Sequence, residues 1–319
     1  MPTPRNNRGP AARLSPATRA RRRQAPRSRP TRSANLAFFI VIVIISVFAF
    51  AYSRMGDGMF RADAPLIPGE NEIFVYFIDV GQGDSILIQS REHAILIDGG
   101  EANQRQTVLS YLRGAGITFL DYVVATHPHS DHIGGLVGVL GQVTVGRVIM
   151  PEVTHNTVTF EHFLTAINNH NIPVTFPQVG DRIQAGIIDL TVLAPTPGPH
   201  ANLNNASIVL RLDHGDMSFL FTGDAEAASE QAMLASGQHL RANVLNIGHH
   251  GSRTSTTPAF LDAVNPGAAV ISVGRDNRYG HPHPEVLDLL NARGIMILRT
   301  DIHGTILMVT DGTDILWFE

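Results

Sequence analysis

The chain of 319 residues contains no cysteine, so disulfides, thiolate metal ligands and cysteine nucleophiles are excluded together. Lysine is missing as well: all 24 cationic residues are arginine, which removes Schiff-base chemistry and the lysine of a phosphate-binding loop. No Gly-x-Ser-x-Gly elbow announces a serine nucleophile. Any metal must therefore be held by histidine, carboxylate or water.

Acidic residues are absent from the first 34 positions, where ten arginines stand alone, which leaves 14 arginines against all 28 acids in residues 35–319, a balance of −14. Nonspecific affinity for nucleic acid comes mainly from neutralising phosphates with cationic side chains. So acidic a body disfavours tight polyanion binding unless bound metals or a local patch compensate.

Directly after the arginines, Leu36 to Tyr52 is an apolar run of 17 residues interrupted only by Ser46. At about 1.5 Å per residue it is just long enough to cross a hydrocarbon core. It reads as a signal anchor over residues 35–53, with the arginine tail cytoplasmic and the rest outside the cytoplasmic membrane. The competing reading is the apolar region of a cleaved signal peptide, with Ala49-Phe50-Ala51 as the cleavage site and a secreted body as the result. Residues 1–34, rich in arginine, proline and serine, are too poor in apolar surface to fold. Residues 54–70 read as a linker, and a folded domain is expected over 71–319.

From Asn71 onward, short apolar strands alternate with amphipathic helices. Strands are expected at 73–78, 85–89, 94–97, 121–125, 146–150, 187–193, 208–212, 217–221, 244–247, 268–273, 296–299, 305–309 and 315–318. Helices are expected at 104–113, 160–170, 225–235, 258–263 and 284–292. Such a mixture calls for sheets covered by helices.

The strongest chemical signal is Thr126 to Gly135, THPHSDHIGG, placed immediately after a buried strand. As a loop leaving a strand end, it can turn His127, His129, Asp131 and His132 toward one point. Imidazole suits zinc and related ions, and carboxylate admits manganese as well. Isolated loop histidines are usually only solvated, but three imidazoles and a carboxylate within six residues form a metal nest.

These residues resemble the second motif of the metallo-β-lactamase superfamily. More of the chain is similar to the branch that includes the soluble domain of the competence protein ComEC: FIDVGQGDSILI (77–88), ILIDGG (95–100), NNASIVLRL (204–212), FLFTGD (219–224), HHGSRTS (249–255) and NRYGHPHPEVL (277–287). The resemblance runs from about Ile73 to the C-terminus and implies an α/β fold, a four-layer αββα sandwich with two divalent metal ions at one edge. Zinc is the leading candidate for the ions and manganese the alternative.

Carried over by motif, His127 and His129 would hold the first ion, Asp131 and His132 the second, and Asp224 would bridge the two. One of His249 and His250 would complete the second site, with His249 favoured because it follows its strand sooner. Asp98 would brace the metal loop by hydrogen bonds. Asp79 and Asp84 would either shape their own loop or touch substrate. Where many members of the superfamily supply a further histidine to the first ion, this chain has Asn204-Asn205-Ala206-Ser207, so water or an asparagine oxygen would fill the gap, or His200 would substitute. His281, with Tyr279, would contact substrate or protonate a leaving group. Ser252 and Ser255 would touch a bound anion or serve the loop alone. His93, His155, His162, His170, His214, His239 and His303 match no motif.

The implied function is metal-dependent hydrolysis, in which coordination lowers the pKa of water to about 7 and makes hydroxide available at neutral pH. A phosphodiester is the expected substrate, whether nucleic acid, nucleotide or envelope polymer. Two alternatives stand beside it: a lactamase or other ester or amide hydrolase, and a noncatalytic, metal-stabilised binding module of an uptake or envelope complex.

Overall fold

A computed structural model describes residues 65–319. The tail expected over 1–34, the membrane helix expected over 35–53 and most of the expected linker lie outside the described residues. Among the described residues no helix is long and apolar enough to cross a membrane.

Residues 73–175 supply six strands of a first sheet: β1 (Ile73–Phe77), β2 (Ile86–Gln89), β3 (Ala94–Ile97), β4 (Phe119–Val124), β5 (Thr144–Ile149) and β6 (Val174–Thr175). The chain then lays down a second sheet from β7 (Arg182–Ala185), β8 (Ile188–Ala194), β9 (Val209–His214), β10 (Met217–Phe221), β11 (Val244–Asn246), β12 (Ala268–Ile271) and β13 (Met296–Arg299). Finally β14 (Ile306–Thr310) and β15 (Ile315–Phe318) return to the first. The spatial orders are β15-β14-β1-β2-β3-β4-β5-β6 and β13-β12-β11-β10-β9-β8-β7. Strands β3 to β6 pair in parallel, as do β10 to β13, and the other neighbours are antiparallel.

Helices α1 (Arg105–Gly114), α2 (Ser130–Ile133), α3 (Leu136–Leu140) and α4 (Val158–Asn169) belong to the first half, and α5 (Ala227–Ala235), α6 (Pro258–Val264), α7 (Pro284–Asn291) and α8 (Thr300–His303) to the second. Three apolar layers result. Ile95 and Ile97 of β3 join Val75, Leu210 and Phe219 between the sheets, whereas Ala94 and Leu96 of the same strand pack outward against Leu109 and Leu112 of α1. A strand covered on both faces needs apolar residues at every position, which is why β3 reads as an unbroken AILI. On the far side, Leu245 and Ala269 lie under Met233, Phe260 and Leu290 of α5, α6 and α7. Thr157 and Thr257 cap α4 and α6, their side chains accepting hydrogen bonds from the N–H groups of Phe160 and Phe260.

One local difference bears on the site. The second half of THPHSDHIGG is not a loop: His129 caps α2, a single helical turn. Consecutive helical residues diverge by about 100°. Asp131 is thereby left partly exposed while His132 points wholly inward.

The glycines after this turn are packing requirements. Gly135 N–H donates to the Gly100 carbonyl at 2.8 Å, and a Cβ on Gly135 would overlap the Gly99 carbonyl oxygen. Gly135→Ala is therefore expected to cost about 1–3 kcal/mol through overpacking. Calorimetry should register this as a fall in Tm of roughly 2–4 °C per kcal/mol.

Candidate metal centre

The parallel halves of the two sheets decide where the site sits. Asp98 follows the carboxyl end of β3, His127 that of β4, Asp224 that of β10 and His249-His250 that of β11. In open α/β sheets this end is where loops converge on ligands. The segment after β12 leads to His281, which lines the same cleft of about 430 Å³.

Asp224 lies at the centre, 2% exposed. Its Oδ2 is 3.5 Å from His127 Nε2 and 3.7 Å from His249 Nε2, while its Oδ1 is 3.2 Å from His132 Nε2 and 3.5 Å from His250 Nε2. Two groups of donor atoms form around it, each with members within 4.8 Å of one another: His127, His129 and Asp224, then Asp131, His132 and His250. His127 Nε2 and His129 Nδ1 are 3.0 Å apart, and His250 Nε2 is 3.3 Å from Asp131 Oδ2.

In the second group the structure places His250 rather than the favoured His249. Both residues adopt left-handed backbone, with φ of 51° and 55°. Counting from the strand end therefore carries no information about which ring arrives where. Left-handed backbone costs a residue with a Cβ roughly 1–2 kcal/mol. Bonds around the loop offset that cost, with His249 N–H donating to the Gly223 carbonyl and Ser252 N–H to that of His249.

Buried supports hold the donors. Asp98 is fully buried and accepts from Thr126 N–H at 2.8 Å and Thr126 Oγ1 at 2.7 Å, while its Oδ2 lies 2.8 Å from His132 Nδ1. Such a bond fixes the tautomer and leaves Nε2 as the donor atom. Asp98→Asn is expected to weaken metal binding about 10- to 100-fold, measurable by equilibrium dialysis. Ser207 Oγ accepts from Asp224 N–H at 3.1 Å, so this serine positions the central aspartate. Asp84 is closer to the centre than a loop-shaping residue needs to be: its carboxylate groups within 4.8 Å both with Asp224 and His250 and with Asp98 and His132. Asn204 turns its amide N–H toward Glu226 Oε1 at 3.1 Å.

Burial works against charge on all these groups, and the balance differs from one to the next. His127 and His129 are held below the ordinary histidine range by burial and by neighbouring histidines. In His132 burial is outweighed by Asp224, Asp98 and Asp131, which lift it well above that range. Asp224 and the Asp131 carboxylate 3.3 Å away likewise overcome burial and raise His250 to about 9. Asp131 and Asp224 are depressed in turn, His132 and His250 outweighing burial. For Asp84 burial prevails and its pKa rises.

The remaining expected residues divide. Tyr279 and His281 line the cleft, their rings stacked at 5.6 Å. Asp79 serves its own loop, accepting from Gly81 N–H, and Ser252 is bonded to Thr254. Ser255 is buried with its hydroxyl unpartnered. His283 Nδ1 accepts from Arg253 N–H, and His200 is not among the residues lining the cleft. Gln82, His155, Thr157 and Glu226 belong to the site without having been expected there. His155 lies 5.5 Å from His129, ring to ring, and Glu226 Oε1 is 3.2 Å from His249 Nδ1.

His132 Nε2, His250 Nε2, Asp224 Oδ1, Asp84 Oδ1 and Asn204 Oδ1 are all buried without hydrogen-bond partners. A native interior rarely leaves so many polar atoms orphaned in one place. Two divalent ions would satisfy the four that belong to histidine and aspartate, so this donor set fits the metals that the motifs imply.

Two sheets packed face to face, helices on both outer sides and imidazole and carboxylate donors at the strand ends define a class of protein, and the family models give the same answer. The chain belongs to the metallo-beta-lactamase superfamily, whose model matches residues 78–275. Within that class it is 34% identical over 260 residues to ComE operon protein 3 of Bacillus subtilis (strain 168), covering 76% of this chain and 33% of that protein. It is also 34% identical over 241 residues to competence protein ComA of Neisseria gonorrhoeae, covering 74% and 32%. The chain thus spans about a third of the length of these curated relatives. Among solved structures, the metallo-beta-lactamase fold protein YhfI from Bacillus subtilis aligns with a TM-score of 0.50 at 14% identity, covering 72% of this chain and 96% of that one, a likeness of fold.

Proposed function

We propose that this superfamily hydrolase is a dinuclear metal-dependent phosphodiesterase, anchored by residues 35–53 with its catalytic domain outside the cytoplasmic membrane. The observation that carries the reading is the meeting of His127, His129, Asp131, His132, Asp224 and His250, from three distant stretches, with His132 Nε2, His250 Nε2 and Asp224 Oδ1 buried and unpartnered where they meet. One relative is named a competence protein and another a recombination protein, which supports a setting of DNA handling and favours a nucleic-acid strand among phosphodiesters.

When bound, the two ions supply Lewis acidity and a water of lowered pKa. The chain's own residues supply the geometry. Asp98 fixes His132, Ser207 fixes Asp224, and the loop of left-handed residues presents His250. His281 is pulled down to about 4 by burial and by the charges of His250, His249 and His283. It is therefore neutral at pH 7 in the metal-free protein. Exposed Tyr279 lines the cleft and carries the Arg278 guanidinium 5.0 Å from its ring centroid, which brings an aromatic ring and a cation together beside the site, a pairing suited to a nucleic-acid strand.

The test is hydrolysis of bis-p-nitrophenyl phosphate, single-stranded DNA and nitrocefin by the purified protein loaded with zinc or manganese. Cleavage of the diester and the DNA, abolished in Asp131→Ala, is the expected result. Turnover of nitrocefin alone would point to the lactamase class. Inactivity on all three with two ions bound would leave a binding module.

A further inference from the structure

The resemblance leaves the first ion one histidine short, because Asn204 stands where other members of the superfamily place a ligand. We propose that His249, held by Glu226, is the donor that completes this first site. The inference rests on the dinuclear reading above and adds a ligand that the motif correspondence does not supply.

Asp224 carries the argument. Each of its oxygens faces two imidazole nitrogens, Oδ1 those of His132 and His250, and Oδ2 those of His127 and His249. A carboxylate that bridges two ions gives one oxygen to each, so the nitrogens gathered at one oxygen belong with one ion. His250 falls to the second ion by this division, and His249 to the first.

The backs of the two rings agree. His250 Nδ1 donates to the Ser272 carbonyl at 3.0 Å, which leaves Nε2 with its lone pair toward Asp224. His249 Nδ1 faces Glu226 Oε1 and Thr254 Oγ1, each at 3.2 Å, with Asn204 Nδ2 farther off at 3.4 Å; the carboxylate favours the proton on Nδ1 and so leaves Nε2 free toward Asp224. A carboxylate behind a histidine is a common support for a metal ligand. Glu226 is itself fixed by three donors: Asn202 Nδ2 at 2.8 Å, Thr254 Oγ1 at 3.0 Å and Asn204 Nδ2 at 3.1 Å. Asn204 thus serves the first site indirectly, its amide N–H given to the carboxylate that holds His249 while its Oδ1 stays unpartnered. With its side chain 24% exposed, His249 has room to close on an ion.

The experiment titrates the metal-free full-length chain with Co²⁺ alone, following visible absorption and bound cobalt by equilibrium dialysis. Wild type should take up two ions. His249→Ala and His127→Ala should lose the same ion, and the double variant should lose no more than either single one. His250→Ala should lose the other ion. Glu226→Gln, which removes no ligand, should weaken only the first ion, about 10- to 100-fold. Circular dichroism of the metal-free variants checks that each is folded. If His249→Ala binds both ions as tightly as wild type, the assignment is overturned, and a fall in activity alone would make His249 a proton donor instead. Uptake of fewer than two ions by wild type would remove the dinuclear reading itself, a separate result from a normal wild type with an indifferent His249→Ala.

Discussion

Asp224→Asn should abolish diester hydrolysis, by about 10³-fold or more, and reduce the metal content below two ions. The side chain offers one oxygen to each pair of imidazoles. An amide keeps the shape but has a single acceptor, and its NH₂ would face one pair of nitrogens with no lone pair to share. Metal clamps typically contribute several kcal/mol to stabilising a transition state. At about 1.36 kcal/mol per factor of ten, this corresponds to the stated loss. The aspartate also steadies the metal-free fold: its depressed pKa means a contribution that is present above about pH 4 and disappears as pH falls. The variant should accordingly unfold at lower urea than wild type at pH 7 even without metal. A variant with two ions and activity within tenfold of wild type would dismiss the central role of this residue.

How much of this was legible in the sequence depended on where the information lay. Strands such as β3 and β12 announce themselves because burial on both faces demands unbroken apolar runs. By contrast β6 has two residues and β7 reads RIQA, with alternate positions exposed, so neither stands out from a loop. Four donors of the site lie within six residues, and Asp224 ends a motif of its own, so those five could be named from the chain alone. The choice between His249 and His250 could not, because it is made by two left-handed residues whose conformation has no signature in the letters HH. Asp84 was legible as a motif member but not as a neighbour of the second cluster. Its position depends on Gly83 packing against the Asp131 carbonyl and on Asp84 N–H donating to that same oxygen at 3.3 Å. His155 and Glu226 had no local signal, since the contacts that bring them in are tertiary: a bond between His155 Nδ1 and the Pro128 carbonyl for one, and the Asn204, Thr254 and His249 cluster for the other.

Metal loading should depend steeply on pH, and differently for the two ions. In the metal-free protein His132 and His250 keep their protons at neutral pH, because the carboxylates around them outweigh burial. An ion entering the Asp131, His132 and His250 cluster needs both Nε2 lone pairs and must displace both protons. Its apparent affinity should therefore rise with pH by up to about 100-fold per unit between pH 6 and 8. His127 and His129 are already neutral in that range, so an ion in their cluster should release fewer protons and vary less. The sign for stability runs opposite in the two forms. A histidine whose pKa is raised on folding stabilises the metal-free protein fully below about pH 6.5, and the contribution from His250 is lost as pH climbs through about 9. The metal-free Tm should fall over that window while the gain on adding metal grows. Titration calorimetry at pH 6, 7 and 8, in two buffers of different ionisation enthalpy, counts the protons directly. An affinity independent of pH, with no proton release for either ion, would mean that the charges on these two histidines are not what holds the site together before the metals arrive.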